Sequence, residues 1–126
     1  PVVWTIETSR PPVVGEEVEL IIRARIASRW IAYSSDFKGD LGPQPTDFQF
    51  SPPASFQLIG KIVPVGAKPG RDKTWETDYA YFSERAEFRQ RVKVLALPLA
   101  GAVRIKGQLC NEAEGTCSLL NERLTW

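Results

Sequence analysis

Residues 16–27 read Glu16-Glu17-Val18-Glu19-Leu20-Ile21-Ile22-Arg23-Ala24-Arg25-Ile26-Ala27. Val18, Leu20, Ile22, Ala24 and Ile26 fall on one side of a two-residue alternation, and Glu17, Glu19, Arg23 and Arg25 on the other. That period belongs to a strand with one dry face and one wet face. Working outward, the same pattern sets Ala86, Phe88, Gln90, Val92 and Val94 against Glu87, Arg89, Arg91 and Lys93. It recurs in Val103, Ile105, Gly107 and Leu109 against Arg104, Lys106 and Gln108. Shorter strands are predicted over 2–7, 30–34, 46–50, 56–65, 78–82 and 119–125. The segments between them are rich in helix-stopping residues: Arg10-Pro11-Pro12, Gly39-Asp40-Leu41-Gly42-Pro43, Ser51-Pro52-Pro53, Lys68-Pro69-Gly70 and Pro98 to Gly101. Eight or nine antiparallel strands with no helical period predict an all-β fold, an immunoglobulin-like β-sandwich.

The chain has 126 residues, enough for one domain with a real hydrophobic core, and a single domain over 1–126 is expected. With 43% hydrophobic and 25% charged residues the composition is that of a soluble globule. Sixteen basic residues against fifteen acidic ones leave a net charge of +1, which gives no general attraction to nucleic acid or anionic lipid. Histidine is absent, which removes serine-triad hydrolysis and histidine-based zinc sites from consideration. No apolar run reaches the roughly 18 residues of a membrane-spanning helix. The chain starts at Pro1 and lacks methionine, so an upstream segment, either a secretory signal or another boundary, is expected ahead of it.

Two cysteines carry the chemistry. Cys110 and Cys117 enclose Asn111-Glu112-Ala113-Glu114-Gly115-Thr116, a polar stretch that reads as the turn between two late strands. Flanking segments paired as a hairpin would bring the cysteines near opposite positions, within the roughly 4.4 to 6.8 Å between Cα atoms that a disulfide needs. Glu112 and Glu114 disfavour a thiolate, and no lysine or arginine lies between the cysteines. A disulfide attacked by a partner therefore suits this pair better than an attacking thiol, unless Arg104, Lys106 or Arg123 comes close. A structural staple in an exported domain is the alternative. Zinc would need further ligands that the sequence does not supply, and no cofactor is expected.

Taken in order, Val3-Trp4, Ala27-Ser28-Arg29-Trp30-Ile31-Ala32-Tyr33-Ser34, Gly42-Pro43-Gln44-Pro45-Thr46, Tyr81-Phe82, Phe88-Arg89-Gln90 and a strand entering Cys110-Asn111 cover nearly the whole chain. Together they resemble the N-terminal periplasmic domain of the thiol:disulfide interchange protein DsbD and the related disulfide bond corrector domains of Bacteroidetes-type bacteria. The resemblance implies a redox-active pair on a late hairpin. It also implies electron transfer from a membrane-embedded or thioredoxin-like donor to exported thiol-disulfide oxidoreductases, in the periplasm, as in cytochrome c biogenesis, with fusion or docking to a membrane electron-transfer domain. By the same resemblance Cys117 forms the mixed disulfide and Cys110 resolves it. Trp75, in Asp72-Lys73-Thr74-Trp75-Glu76, would be the aromatic cap, and Tyr33 and Tyr81 the site wall. The chain departs from that family in its wider cysteine spacing and in Ser118-Leu119-Leu120, which replaces a proline-containing segment.

Two other classes compete with that reading. One is a binding module with a structural disulfide, contacting a glycan or protein through Trp75 or Trp30. The other is a hydrolase using carboxylates among Asp36, Asp40, Asp72, Glu76 and Asp78, for which solvated turn roles are the plainer explanation.

Overall fold

The computed structural model describes residues 1–39 and 42–126; Asp40 and Leu41, one of them a candidate carboxylate, lie outside the described residues. Among the described residues there are ten strands: β1 Val2–Thr8, β2 Glu17–Ile26, β3 Trp30–Tyr33, β4 Asp47–Phe50, β5 Phe56–Pro64, β6 Lys68–Asp72, β7 Thr77–Ser83, β8 Arg85–Val94, β9 Ala102–Asn111 and β10 Thr116–Thr125. They form two antiparallel sheets. One has the order β1-β2-β8-β5, and the other β10-β9-β3-β7-β6 with β4 also paired to β9.

The alternation read from the sequence decides which side of each strand faces the partner sheet. Val18, Leu20, Ile22, Ala24 and Ile26 of β2 and Ala86, Phe88, Val92 and Val94 of β8 are all buried. Ile22, Ala24, Ile26, Ala86 and Phe88 cluster with Val103, Ile105 and Leu109 of β9, Phe82 of β7 and Leu120 of β10, while Val18, Leu20, Val92 and Val94 form a second cluster with Phe56 of β5. Phe88 lies at the centre, with Trp4, Phe48 and Phe82 around it at ring separations of 4.7 to 6.4 Å. On the wet face of the first sheet the charges form a ladder. Arg23 pairs with Glu7 and Glu87, and Arg89 with Glu87 and Glu19. Burial alone would raise the Glu87 carboxyl, but hydrogen bonds from Arg23 and Arg89 outweigh it and hold the group below the usual carboxylate range.

Three features were not legible in the pattern. The segment Lys68-Pro69-Gly70, read as a turn, forms edge strand β6, where Pro69 is tolerated because an edge strand leaves half its N–H groups unpaired. The predicted strand over 56–65 carries a register shift between Ile59 and Val63 with Gly60 at φ 70°. There the inward amide of Gln90 donates to the Ile59, Gly60 and Arg91 carbonyls at 2.9 to 3.3 Å, offsetting its own burial. The last strand starts at Thr116 rather than 119, so Cys117 is in the ladder and not beyond it.

β3 and β4 are two halves of one neighbour to β9. Trp30, Ile31 and Ala32 pair with Asn111, Cys110 and Leu109, and Asp47 to Phe50 resume the pairing from Lys106 to Val103. Between them the chain leaves the sheet after Tyr33 and re-enters at Thr46. The buried Thr46 closes this excursion: its hydroxyl donates to the Tyr33 carbonyl (2.5 Å) and its N–H to the Ser34 carbonyl (3.0 Å). The backbone re-enters tightly against Gly107, where a Cβ would stand 3.2 Å from the Thr46 Cα.

Candidate functional site

Strand pairing places the two cysteines directly opposite each other across β9 and β10, and they form a disulfide. Their Cα atoms are 4.0 Å apart, shorter than the span expected from the sequence. Asn111 builds the turn beyond them. Its carbonyl accepts the Gly115 N–H, and its side-chain oxygen accepts the N–H groups of Ala113 and Glu114. The Glu112 N–H donates to the Arg29 carbonyl, tying the hairpin tip to the start of β3.

Because Leu109 points into the core, Cys110 points away from it, onto the outer face of the second sheet. The neighbouring side chains follow from register. Ile31 is opposite Cys110, Ser83 is opposite Ile31, and Cys117 closes the row on the edge strand. One row along, about 7 Å away, lie Leu119 opposite Gln108, and Tyr33 opposite Tyr81. Tyr33 and Ile31 face away from the sandwich core and are nonetheless only 5% and 6% exposed. A second apolar layer covers that face: Tyr33 touches Phe37 and Tyr79 edge-on, and Tyr79 also packs on Tyr81. The excursion after β3 supplies Phe37 and is fastened across β9 by the Gln44 N–H on the Gln108 side-chain oxygen at 2.8 Å. Burial, then the neighbouring Tyr79, Asp72 and Glu112, push the Tyr33 phenol up to about 12.

The two sulfurs sit in different surroundings. Cys110 is on an interior strand with Ile31 beside it, whereas Cys117 is exposed on β10, which has no strand beyond it. Lys106 and Arg104 are opposite Asn121 and Arg123, two and three rows from the disulfide, so these cations do not flank it. Leu119, next to Cys117 on the same face, is 90% exposed. The sequence singled out neither Ile31 nor Phe37 for this site and named Leu119 only within Ser118-Leu119-Leu120; its two-residue spacing from Cys117 was the available signal, once 116–119 was known to be strand.

The remaining candidates are placed as follows. Tyr33 and Tyr81 share the face and the adjacent row. Trp75 is in the turn joining β6 and β7, 53% exposed, and β7 runs back from Ser83 through Tyr81 and Tyr79 before reaching it. Asp72 builds that turn by accepting the N–H groups of Thr74 and Trp75. Asp36 accepts from the Ser34 hydroxyl, and Asp78 pairs with Arg71, so these carboxylates serve turns and strand ends. Trp30, an exposed contact residue in the binding-module reading, packs against the core instead. Clefts of about 630 and 420 Å³ open elsewhere, the first between the β4 and β5 edges and the second beside Arg25 and Arg85; no cysteine lines either.

No protein-family model matches the chain, and no curated protein matches it significantly. Solved structures do. The Neisseria meningitidis DsbD N-terminal domain, crystallised in the reduced form, superposes with a TM-score of 0.61 at 16% identity, over 98% of this chain and 83% of that one. The N-terminal periplasmic domain of ScsB from Proteus mirabilis gives 0.62 at 12% identity, over 98% of this chain and 44% of that one. The chain is therefore similar in fold, over nearly its whole length, to the immunoglobulin-like N-terminal domain of DsbD.

Proposed function

We propose that residues 1–126 act as one immunoglobulin-like thiol-disulfide exchange domain in the periplasm or an equivalent exported compartment, relaying electrons through Cys110 and Cys117. The observation that carries this reading is the asymmetry of the pair: Cys117 exposed on an open sheet edge, Cys110 half-buried on an interior strand opposite Ile31. Displacement at a disulfide sulfur is in line, with the entering thiolate opposite the leaving sulfur. At Cys117 that approach is from beyond β10, where the sheet has ended; at Cys110 it is from the side of β3, which Ile31 occupies.

A thiolate of a donor dithiol forms a bond to the Cys117 sulfur, the Cys110–Cys117 bond breaks, and Cys110 leaves with the electron pair and takes up a proton. The donor's second thiol then attacks the donor's own sulfur, releasing Cys117, so the domain is reduced and the donor oxidised. Running the sequence in the other direction, with Cys117 attacking and Cys110 resolving, delivers the two electrons to an exported oxidoreductase. The donor is a thioredoxin-like or membrane-embedded dithiol, and the chain is fused or docked to such a unit. The similarity in fold to DsbD and ScsB domains supports the reading; the corrector-type assignment and the role in cytochrome c biogenesis rest on the residue resemblance.

Within this reading Tyr33 and Tyr81 wall the aromatic side of the disulfide, and Trp75 caps it by bending the β6–β7 turn toward the Cys110 row. A change in Trp75 fluorescence on reduction is expected, and its absence would remove Trp75 from that role. The exposed Trp75 is also what favours the second reading, a binding module with a structural disulfide.

The deciding experiment mixes the Cys110→Ser variant and, separately, the Cys117→Ser variant with a thioredoxin whose disulfide has been activated by a nitrothiobenzoate leaving group. Cys110→Ser should form a stable mixed disulfide through Cys117. Cys117→Ser should form it far more slowly. Equal yields from both, or none from either, would sink the relay.

A further inference from the structure

Whatever thiolate attacks Cys117 has to arrive over the free edge of β10, and near the disulfide that edge is unprotected. Sheets ordinarily protect their edges with short strands, proline, charge or bulges, because unpaired N–H and C=O groups invite another strand. Here β4 is four residues long, β5 is bulged and ends in Pro64, and β6 contains Lys68, Pro69 and Gly70, while edge strand β1 is unbroken like β10 but lies in the other sheet, away from the cysteines. β10 has none of these devices near the disulfide. It pairs with β9 over ten consecutive residues without a register shift and contains neither proline nor glycine. The residues from Thr116 to Leu119 are all exposed, and Leu119, the most exposed large apolar side chain among the described residues, stands beside Cys117 on the outer face.

Resting on the exchange reading, we infer that β10 is the docking edge for the redox partner. A thioredoxin-fold dithiol adds an extended segment alongside 117–121 and seats Leu119 in an apolar recess next to its own reactive cysteine. The occupant follows from the trajectory: the body that carries the attacking sulfur is the one that must cover this edge. The backbone groups of β10 then orient the partner, as main-chain pairing does whenever a strand is added to a sheet, and Leu119 supplies the apolar contact.

The test compares reduction of the oxidised chain by reduced thioredoxin and by dithiothreitol, for the native protein and for Leu119→Ala and Leu119→Asp. Burying a leucine side chain corresponds to at least about 10-fold in rate constant, so thioredoxin reduction should slow about 10-fold more than dithiothreitol reduction, and further for Asp. Amide exchange gives a second reading: in the mixed disulfide of Cys110→Ser with thioredoxin, N–H groups of residues 118–122 that face the free edge should become protected. Equal slowing with both reductants, or an unprotected edge in the trapped complex, overturns the docking inference while leaving Cys117 exchange intact. A native chain reduced by dithiothreitol but inert to thioredoxin overturns the relay itself. A native dimer with these amides already protected assigns the edge to a second copy of the chain and overturns the partner.

Discussion

Reducing the Cys110–Cys117 bond should cost the fold little. The bond closes a loop of eight residues, for which chain entropy gives about 2.5 kcal/mol, and this is the ceiling if the reduced hairpin keeps its register. The structure supplies reasons for it to do so. β9 and β10 pair at nine positions besides the cysteines, Asn111 accepts three N–H groups of the turn, and the Glu112 N–H is anchored on Arg29. For a chain of this length about 2.5 kcal/mol corresponds to a fall in Tm of roughly 10 °C, against a total stability of about 5–15 kcal/mol. The thermodynamic cycle fixes a companion quantity. The folded chain should hold the disulfide about 50 mV more reducing than the unfolded chain does, because about 30 mV corresponds to 1.4 kcal/mol. Calorimetry of oxidised and reduced protein, with near-UV circular dichroism and titration in a glutathione buffer, measures all three. Loss of the near-UV signal on reduction, a Tm drop beyond about 20 °C, or a potential below about −300 mV would refute the reasoning and make the bond a staple.

Further outcomes follow from particular side chains. The Tyr33 phenol titrates near 12 when folded and near 10 when unfolded, so its contribution to stability is complete below pH 10 and is lost as pH rises toward 12; Tyr33→Phe should flatten alkaline unfolding curves across that window. Glu87 is shifted the other way, so its contribution is present above the ordinary carboxylate pKa and disappears as pH falls through its lower folded value. Glu87→Gln should cost about 1 kcal/mol at pH 7 and progressively less as the pH is lowered below the ordinary carboxylate range, read by urea unfolding at neutral and acid pH. Thr46→Val leaves the Tyr33 carbonyl without its hydroxyl donor and should destabilise by about 1–3 kcal/mol, with faster amide exchange in the 34–39 segment. Gly70→Ala places a Cβ 2.5 Å from the Tyr79 ring, so the ring must move; about 1–3 kcal/mol and an altered tyrosine near-UV band are expected, while Trp4 and Phe88 stay in place.

The sandwich was readable in the sequence because one-sided burial is a period-two property: β2, β8 and β9 declare their faces residue by residue, whatever their partners are. The cysteine pair was readable too, since a polar loop of six residues between two alternating segments brings its flanks together. Period says nothing about what covers the outer side of a sheet. Tyr33 alternates correctly with Ala32 and would be assigned to solvent, yet Phe37, from the excursion between Tyr33 and Thr46, and Tyr79 of β7 cover it. Strand order is equally absent from a local pattern, and it is strand order that makes β9 interior and β10 an edge. The local pattern was enough to bring two cysteines together on a hairpin; that Cys117 is exposed at an edge while Cys110 lies half-buried beside Ile31 depends on which strands pair across the sheet, which no local pattern carries.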